Sequence, residues 1–175
     1  MKILMVIAPN KFRDEELFEP KKVFEKNKYK VDITSISKKE AKGMLNSKIT
    51  PNLLIKDVKV NDYKAVVFVG GSGVEEYKVY ENEEFLNLAK KFAEKGKVVA
   101  AICYAPRILA KAGLLKGVKC TVFGDHDSID MLKKEKAKYS GEPIEADNKI
   151  VTAEGPQVAE EFAEKILEVI KNVSI

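Results

Sequence analysis

The sequence predicts an α/β protein built as a doubly wound sandwich, a mostly parallel central sheet with helices on both faces. Three observations predict it. Four short, continuously apolar segments recur along the chain, "KILMVIA", "AVVFVGG", "KVVAAIC" and "NKIVTAEG", and such runs suit parallel strands buried on both faces. Amphipathic helical patterns alternate with them. The length of 175 residues with 45% apolar content suffices for one sizeable core and is short for two, so residues 1–175 are expected to form a single domain.

The elements follow in order. After the strand "KILMVIA", the segment "DEELFEPKKVFEKN" reads as a helix with Asp14, Glu15 and Glu16 in its first turn, where the helix dipole favours acidic side chains. Pro20 has no N–H to donate to the carbonyl of Glu16 four residues earlier, so a kink or a restart of the helix is expected there. "GMLNSKITPNLLIKDVKV" breaks the rhythm with short β-prone pieces around Pro51 and reads as a small β-hairpin or an edge ribbon. "AVVFVGG" resumes the sheet. "NEEFLNLAKKFAEKG" then places Phe85, Leu88, Ala89 and Phe92 on one helical face. The strand "KVVAAIC" leads into a helix over "RILAKAGLLKG", and "SIDMLKKEKAKY" reads as another, accompanied by a short strand. "NKIVTAEG" and "PQVAEEFAEKILEVIKNV" close the chain as last strand and last helix.

Composition narrows the function classes. The 31 Lys+Arg are scattered among 27 Asp+Glu, leaving a net charge of +4 with no basic block, so nucleic-acid binding is not indicated. No segment approaches the roughly 18 consecutive apolar residues of a membrane span, and the apolar run in "MKILMVIAPNKF" is too short for a signal peptide. A cytoplasmic protein without membrane partners is expected. Cys103 and Cys120 lack CxxC spacing and are joined by one histidine, so neither a disulfide framework nor a zinc site is indicated, and no metal or other cofactor is expected. Arginine occurs only at positions 13 and 107 while Lys and Glu abound, a bias of hyperthermophile surfaces.

Cys103 ends a predicted strand and precedes a predicted helix. Ala101 and Ala105 set a small residue two positions to either side of it, the clearance that a nucleophile elbow needs. With Pro106 in the first helical turn, the thiol lies against the positive end of the helix dipole, and its pKa is expected to fall. The backbone N–H of Tyr104 becomes a candidate oxyanion donor. On this segment alone a reactive thiol and a small buried hydrophobe are both open. The loop "FVGGSGVEEY" reaches the same carboxyl edge of the sheet, where Gly70 and Gly71 allow close backbone approach. Its G-G-x-G lacks the dinucleotide and Walker fingerprints. Glu16 falls near the same edge; as partner of a Cys103 thiolate it must donate a proton, which requires a raised carboxyl pKa. Cys120 reads as a core strand residue.

Together, "EELFEP", "VFVGGSG", "AAICYAP" and the late "TAEGP" resemble the ThiJ/PfpI superfamily, which contains the PfpI-type intracellular peptidases and the parkinsonism-associated deglycase with its relatives. The resemblance covers nearly the whole chain. It implies a flavodoxin-like sandwich, Cys103 as nucleophile, Glu16 as its carboxyl partner, Gly71 and Tyr104 as backbone oxyanion donors, and homodimers or larger homo-oligomers. Peptidase-like members carry a histidine directly after the cysteine and a glutamate from a neighbouring subunit. Glu75 matches that glutamate, whereas Tyr104 replaces the histidine, and a phenol with a reference pKa near 10 is a poor base at neutral pH. Glyoxalase and deglycase members often place a histidine where this chain has Phe123; His126 follows three residues later and reads as a solvated loop residue in preference to a catalytic one. Three functions remain open: a Cys103/Glu16 enzyme for small reactive carbonyls or glycated groups, a PfpI-type peptidase with Glu75 and His126 as accessories, and a non-catalytic redox sensor or chaperone-like protein using an oxidisable Cys103.

Overall fold

A computed structural model describes residues 1–173. In chain order its strands and α-helices are β1 (Lys2–Val6), α1 (Asp14–Lys26), β2 (Lys30–Ser35), β3 (Ala41–Lys42), β4 (Lys48–Ile49), β5 (Leu53–Leu54), β6 (Tyr63–Phe68), α2 (Gly73–Glu76), α3 (Glu83–Glu94), β7 (Val98–Ile102), α4 (Pro106–Lys111), β8 (Lys119–Cys120), α5 (His126–Lys134), β9 (Lys138–Tyr139), β10 (Ile144–Asp147), β11 (Ile150–Ala153) and α6 (Ala159–Val173). The four apolar runs are β1, β6, β7 and β11, all parallel neighbours within a seven-stranded sheet ordered β10-β11-β7-β6-β1-β2-β5. Only β10 runs antiparallel, at one edge, to β11.

Each side of the sheet buries its own core. Leu17 and Phe24 of α1 join Phe162 and Ile166 of α6 over Ile3, Met5 and Val67. On the opposite side Phe85 and Phe92 of α3, Leu109 of α4 and Leu132 of α5 cover Leu4, Val66 and Val99. Alternate residues of a strand thus feed opposite layers, as the period of two requires, and the expected doubly wound arrangement follows.

Three local outcomes refine the sequence reading. α1 runs unbroken through Pro20, so the helix does not restart there. The irregular region resolves into both forms expected of it: β3 and β4 pair as a short antiparallel hairpin, and β5 is an edge strand parallel to β2. α5 begins at His126, two residues ahead of the predicted helix, because the Asp125 side chain caps it by accepting from the Ser128 N–H.

Sheet order positions the site. From β1 the chain winds one way through β2 and β5 and the other way through β6, β7 and β11, so the loops after β1 and β6 diverge at a topological switch point, with the elbow after β7 beside them. The carboxyl edge there is where open α/β sheets bind ligands.

Candidate functional site

Three loops lock together at this edge. Arg13 N–H donates to the Gly70 carbonyl at 3.0 Å and Gly73 N–H to the Lys11 carbonyl at 3.0 Å, tying the segment after β1 to the segment after β6. Cys103 N–H donates to the Ala153 carbonyl at 2.9 Å, and the Cys103 carbonyl accepts from Phe123 N–H at 2.9 Å. Cys103 is thereby held at φ 63°, a left-handed conformation that costs an L-residue about 1–2 kcal/mol. Such strain persists where surrounding bonds over-determine it, and it collects at functional turns. The elbow expected from "AAICYAP" is present.

Glu16 lies in the first turn of α1 with no exposed surface. Neither carboxyl oxygen has a hydrogen-bond partner of ordinary geometry; the polar groups closest in effect are the Cys103 thiol and the Gly70 backbone. Gly70 makes the approach possible: a Cβ built there falls 2.5 Å from Glu16 Oε1 and 2.7 Å from Cys103 Cβ. Burial pushes the Glu16 carboxyl up from its ordinary 4.5 to about 8, with the thiol and Arg13 opposing. The raised carboxyl that a proton-donating partner requires is therefore built in.

The thiol itself goes the other way from expectation. Burial, followed by the charge of Glu16, pushes Cys103 up, and the N–H groups of Gly71 and Tyr104 only partly offset this. α4 spans six residues, too short for its dipole to outweigh desolvation of a buried sulfur. While Glu16 keeps its proton, its share of the opposition vanishes and burial alone stands against the thiolate.

The backbone N–H groups of Gly71 and Tyr104 favour the Cys103 thiolate, against its burial. Gly71 adopts φ 111°, which a side chain would resist. The Tyr104 ring packs against Phe123, centroids 5.0 Å apart, and against the Arg107 guanidinium, 4.8 Å from its centroid.

Arg107 is the residue that sequence reasoning passed over. It is buried, and it donates to Glu75 Oε2 at 2.6 Å, Asp125 Oδ2 at 3.2 Å and Ser128 Oγ at 2.8 Å. One signal was available: an arginine in a chain that otherwise uses lysine marks a position needing a planar, multidentate donor. Glu75 is bound within its own chain, to Arg107 and to the Tyr80 hydroxyl at 2.8 Å. His126 is exposed on the first turn of α5; it belongs to a helix, not to a loop. Cys120 is fully buried in β8, and burial raises its thiol to about 11. Tyr80 is buried in the Arg107 cluster and Tyr77 is exposed.

Among the described residues no group of three or more His, Cys, Asp or Glu side chains is placed to hold a metal ion, and no helix is long and apolar enough to cross a membrane. The arrangement sets a thiol and a fully buried carboxyl at one turn, with the N–H groups of Gly71 and Tyr104 favouring the thiolate.

Comparison with known proteins gives one answer. The DJ-1/PfpI family model matches residues 1–169. An uncharacterized protein of Methanocaldococcus jannaschii is 48% identical over 170 residues, 97% of this chain and 82% of its own. The protein of Pyrococcus furiosus named deglycase PfpI is 35% identical over 123 residues, 70% of this chain and 72% of its own. Among solved structures, the ThiJ/PfpI domain protein from Brachyspira murdochii superposes with a TM-score of 0.93 at 32% identity, covering 98% of this chain and 96% of that one.

Proposed function

The chain belongs to the DJ-1/PfpI family, and from that premise we propose that it is a cysteine-dependent enzyme of glyoxalase or deglycase type, acting on small reactive carbonyls or glycated groups through Cys103 and Glu16. The observation that carries this reading is the fully buried Glu16 carboxyl beside the Cys103 thiol, neither of its oxygens engaged in a hydrogen bond of ordinary geometry. A carboxyl isolated in this way is suited to exchanging a proton with the sulfur and with whatever the sulfur attacks.

With an α-oxoaldehyde such as methylglyoxal the steps balance without a cofactor. Sulfur and carboxyl share one proton, and the form that reacts is thiolate with neutral Glu16. The sulfur forms a bond to the aldehyde carbon while the C=O π bond breaks, and Glu16 delivers its proton to the resulting alkoxide. The product is a hemithioacetal beside an ionised Glu16. That carboxylate is then the base that removes the hydrogen on the former aldehyde carbon and returns it to the neighbouring carbon, while the hydroxyl proton passes from the first oxygen to the second, so that the first C–O becomes a thioester carbonyl and the second a hydroxyl. Water cleaves the thioester to a 2-hydroxy acid and restores the thiol. The N–H groups of Gly71 and Tyr104 supply donors for the developing oxyanion.

Peptide hydrolysis has less support. Tyr104 stands in the histidine position, and Glu75 is engaged by Arg107 and Tyr80. The test is methylglyoxal turnover. The reading expects turnover in the parent, loss in Cys103→Ser and a strong decrease in Glu16→Gln. An inactive parent, or activity that survives Cys103→Ser, overturns it.

A further inference from the structure

Beyond the nucleophile and its acid, we propose that Arg107 is the positioning residue of the elbow, acting through Tyr104 to hold the Cys103–Tyr104 peptide in place. Arg107 grips Tyr104 twice. Its backbone N–H donates to the Tyr104 carbonyl at 3.2 Å, and its guanidinium lies 4.8 Å from the centre of the Tyr104 ring. Phe123, whose N–H is bonded to the Cys103 carbonyl, flanks the same ring at 5.0 Å. Tyr104 is thus clamped between a cation and an aromatic ring, immediately after the residue that carries the left-handed φ of 63°. The peptide joining Cys103 to Tyr104 has its relaxation blocked on the Tyr104 side by this clamp.

The guanidinium is itself fixed with unusual redundancy for a residue only 3% exposed. Its three acceptors come from two segments: Glu75 from α2, and Asp125 with Ser128 from the cap and first turn of α5. Tyr80 adds a second ring at 5.7 Å and holds Glu75 in place through its hydroxyl. A lysine at this position carries the charge but not the planar fork that meets three acceptors while stacking on a ring. Glu75, at the family's glutamate position, here serves Arg107.

The charged groups around the two ends of this arrangement differ. Cys103 is faced by Glu16 and Arg13. Arg107 is faced by Glu75 and Asp125, and beyond them by Lys111, Asp127, Asp130 and Lys134 around a cavity of about 300 Å³. Burial and the charges of Asp125, Cys103 and Glu75 raise the Tyr104 phenol, with Arg107 opposing; the contact of the cluster with the elbow is the Tyr104 ring itself.

The experiment compares the parent with Arg107→Lys and Glu75→Gln, each checked for an intact melting transition. One readout is the rate of Cys103 alkylation by iodoacetamide between about pH 7 and 10, with fully buried Cys120 as internal reference; it needs no substrate. The positioning role expects both variants to alkylate more slowly at each pH, Arg107→Lys the more so, because the Tyr104 N–H no longer favours the thiolate. Removing a negative charge alone predicts the opposite for Glu75→Gln. The second readout rests on the carbonyl-enzyme reading: kcat on methylglyoxal falls at least about tenfold in Arg107→Lys with KM little changed, since an oxyanion donor acts in the transition state. Parental alkylation rates in both folded variants, or faster alkylation in Glu75→Gln, overturn the proposal. An inactive parent overturns only the carbonyl reading, and should Arg107→Lys not fold, Glu75→Gln decides.

Discussion

Replacing Glu16 by glutamine removes one titration and nothing of the side chain's shape, so its effect on stability is expected to depend on pH. The folded carboxyl holds its proton to about pH 8, whereas an unconstrained one releases it near 4.5. Between these values folding must take up a proton. The stability contributed by the neutral acid is complete below about pH 4.5 and is lost as pH rises through about 8. Each unit of that window is worth about 1.4 kcal/mol, so the full span is on the order of 5 kcal/mol. From pH 5 to pH 8, Glu16→Gln should gain about 3 kcal/mol on the parent by the same linkage. Cys103 does not confuse the comparison, because its ordinary value of 9.0 and its raised folded value both leave it a thiol through this range. Buried glutamine brings its own penalty for unpaired amide groups, but that offset is independent of pH. Urea unfolding of both proteins at pH 5, 6, 7 and 8 reads the difference directly. A constant gap across the series refutes the reasoning, since it means that Glu16 titrates alike in folded and unfolded chains.

Other consequences are nearer to hand. Gly70→Ala forces a Cβ to 2.5 Å from both Glu16 Oε1 and the Ile102 carbonyl, and chemical denaturation should show a loss of about 1–3 kcal/mol together with loss of turnover. Cys103→Gly removes the nucleophile yet relieves a left-handed residue at φ 63°, so calorimetry should find an inactive protein that melts no lower than the parent. Asp14 accepts from Leu45 N–H at 2.8 Å and Ser47 N–H at 2.9 Å; although burial opposes it, these bonds hold its carboxyl below the ordinary 3.8. Asp14→Asn should therefore cost about 2 kcal/mol near neutral pH, a deficit that unfolding curves show shrinking as pH falls through the depressed carboxyl value. Turnover of methylglyoxal by the parent should rise with pH toward about 8 and level above it, because the reactive thiolate–carboxylic acid form belongs to the singly protonated pair; a rate that falls across pH 6–8 contradicts the shared-proton scheme.

Much of the fold is legible because the central strands of a doubly wound sheet advertise themselves. β1, β6, β7 and β11 touch helices on both sides and must be apolar at nearly every position. β2 is less visible: its "KVDITS" begins exposed and becomes buried only over its last three residues, so no continuous apolar run marks it. β10, the outer antiparallel strand, carries Glu145 and Asp147 and has no fully buried residue. Sequence contrast fades toward the sheet's edges, and with it the certainty of reading.

The site divides along a similar line. Cys103 with its small neighbours, the paired glycines and Glu16 four residues before Pro20 are local patterns, each readable within a few residues of chain. Arg107 is not local. Its acceptors lie 18, 21 and 32 residues away, and nothing in "APRILA" announces that α2 and the first turn of α5 converge there. The thiol's direction of titration was hidden for the same reason: a helix dipole is visible in the sequence of α4, whereas the burial that outweighs it depends on distant residues brought against Cys103, Glu16 of α1 and Gly70 after β6 among them. In the proposed reaction the proton therefore resides on Glu16, among the described residues the one carboxyl with no exposed surface. Activation at this elbow is better described as custody of a shared proton than as a depressed thiol.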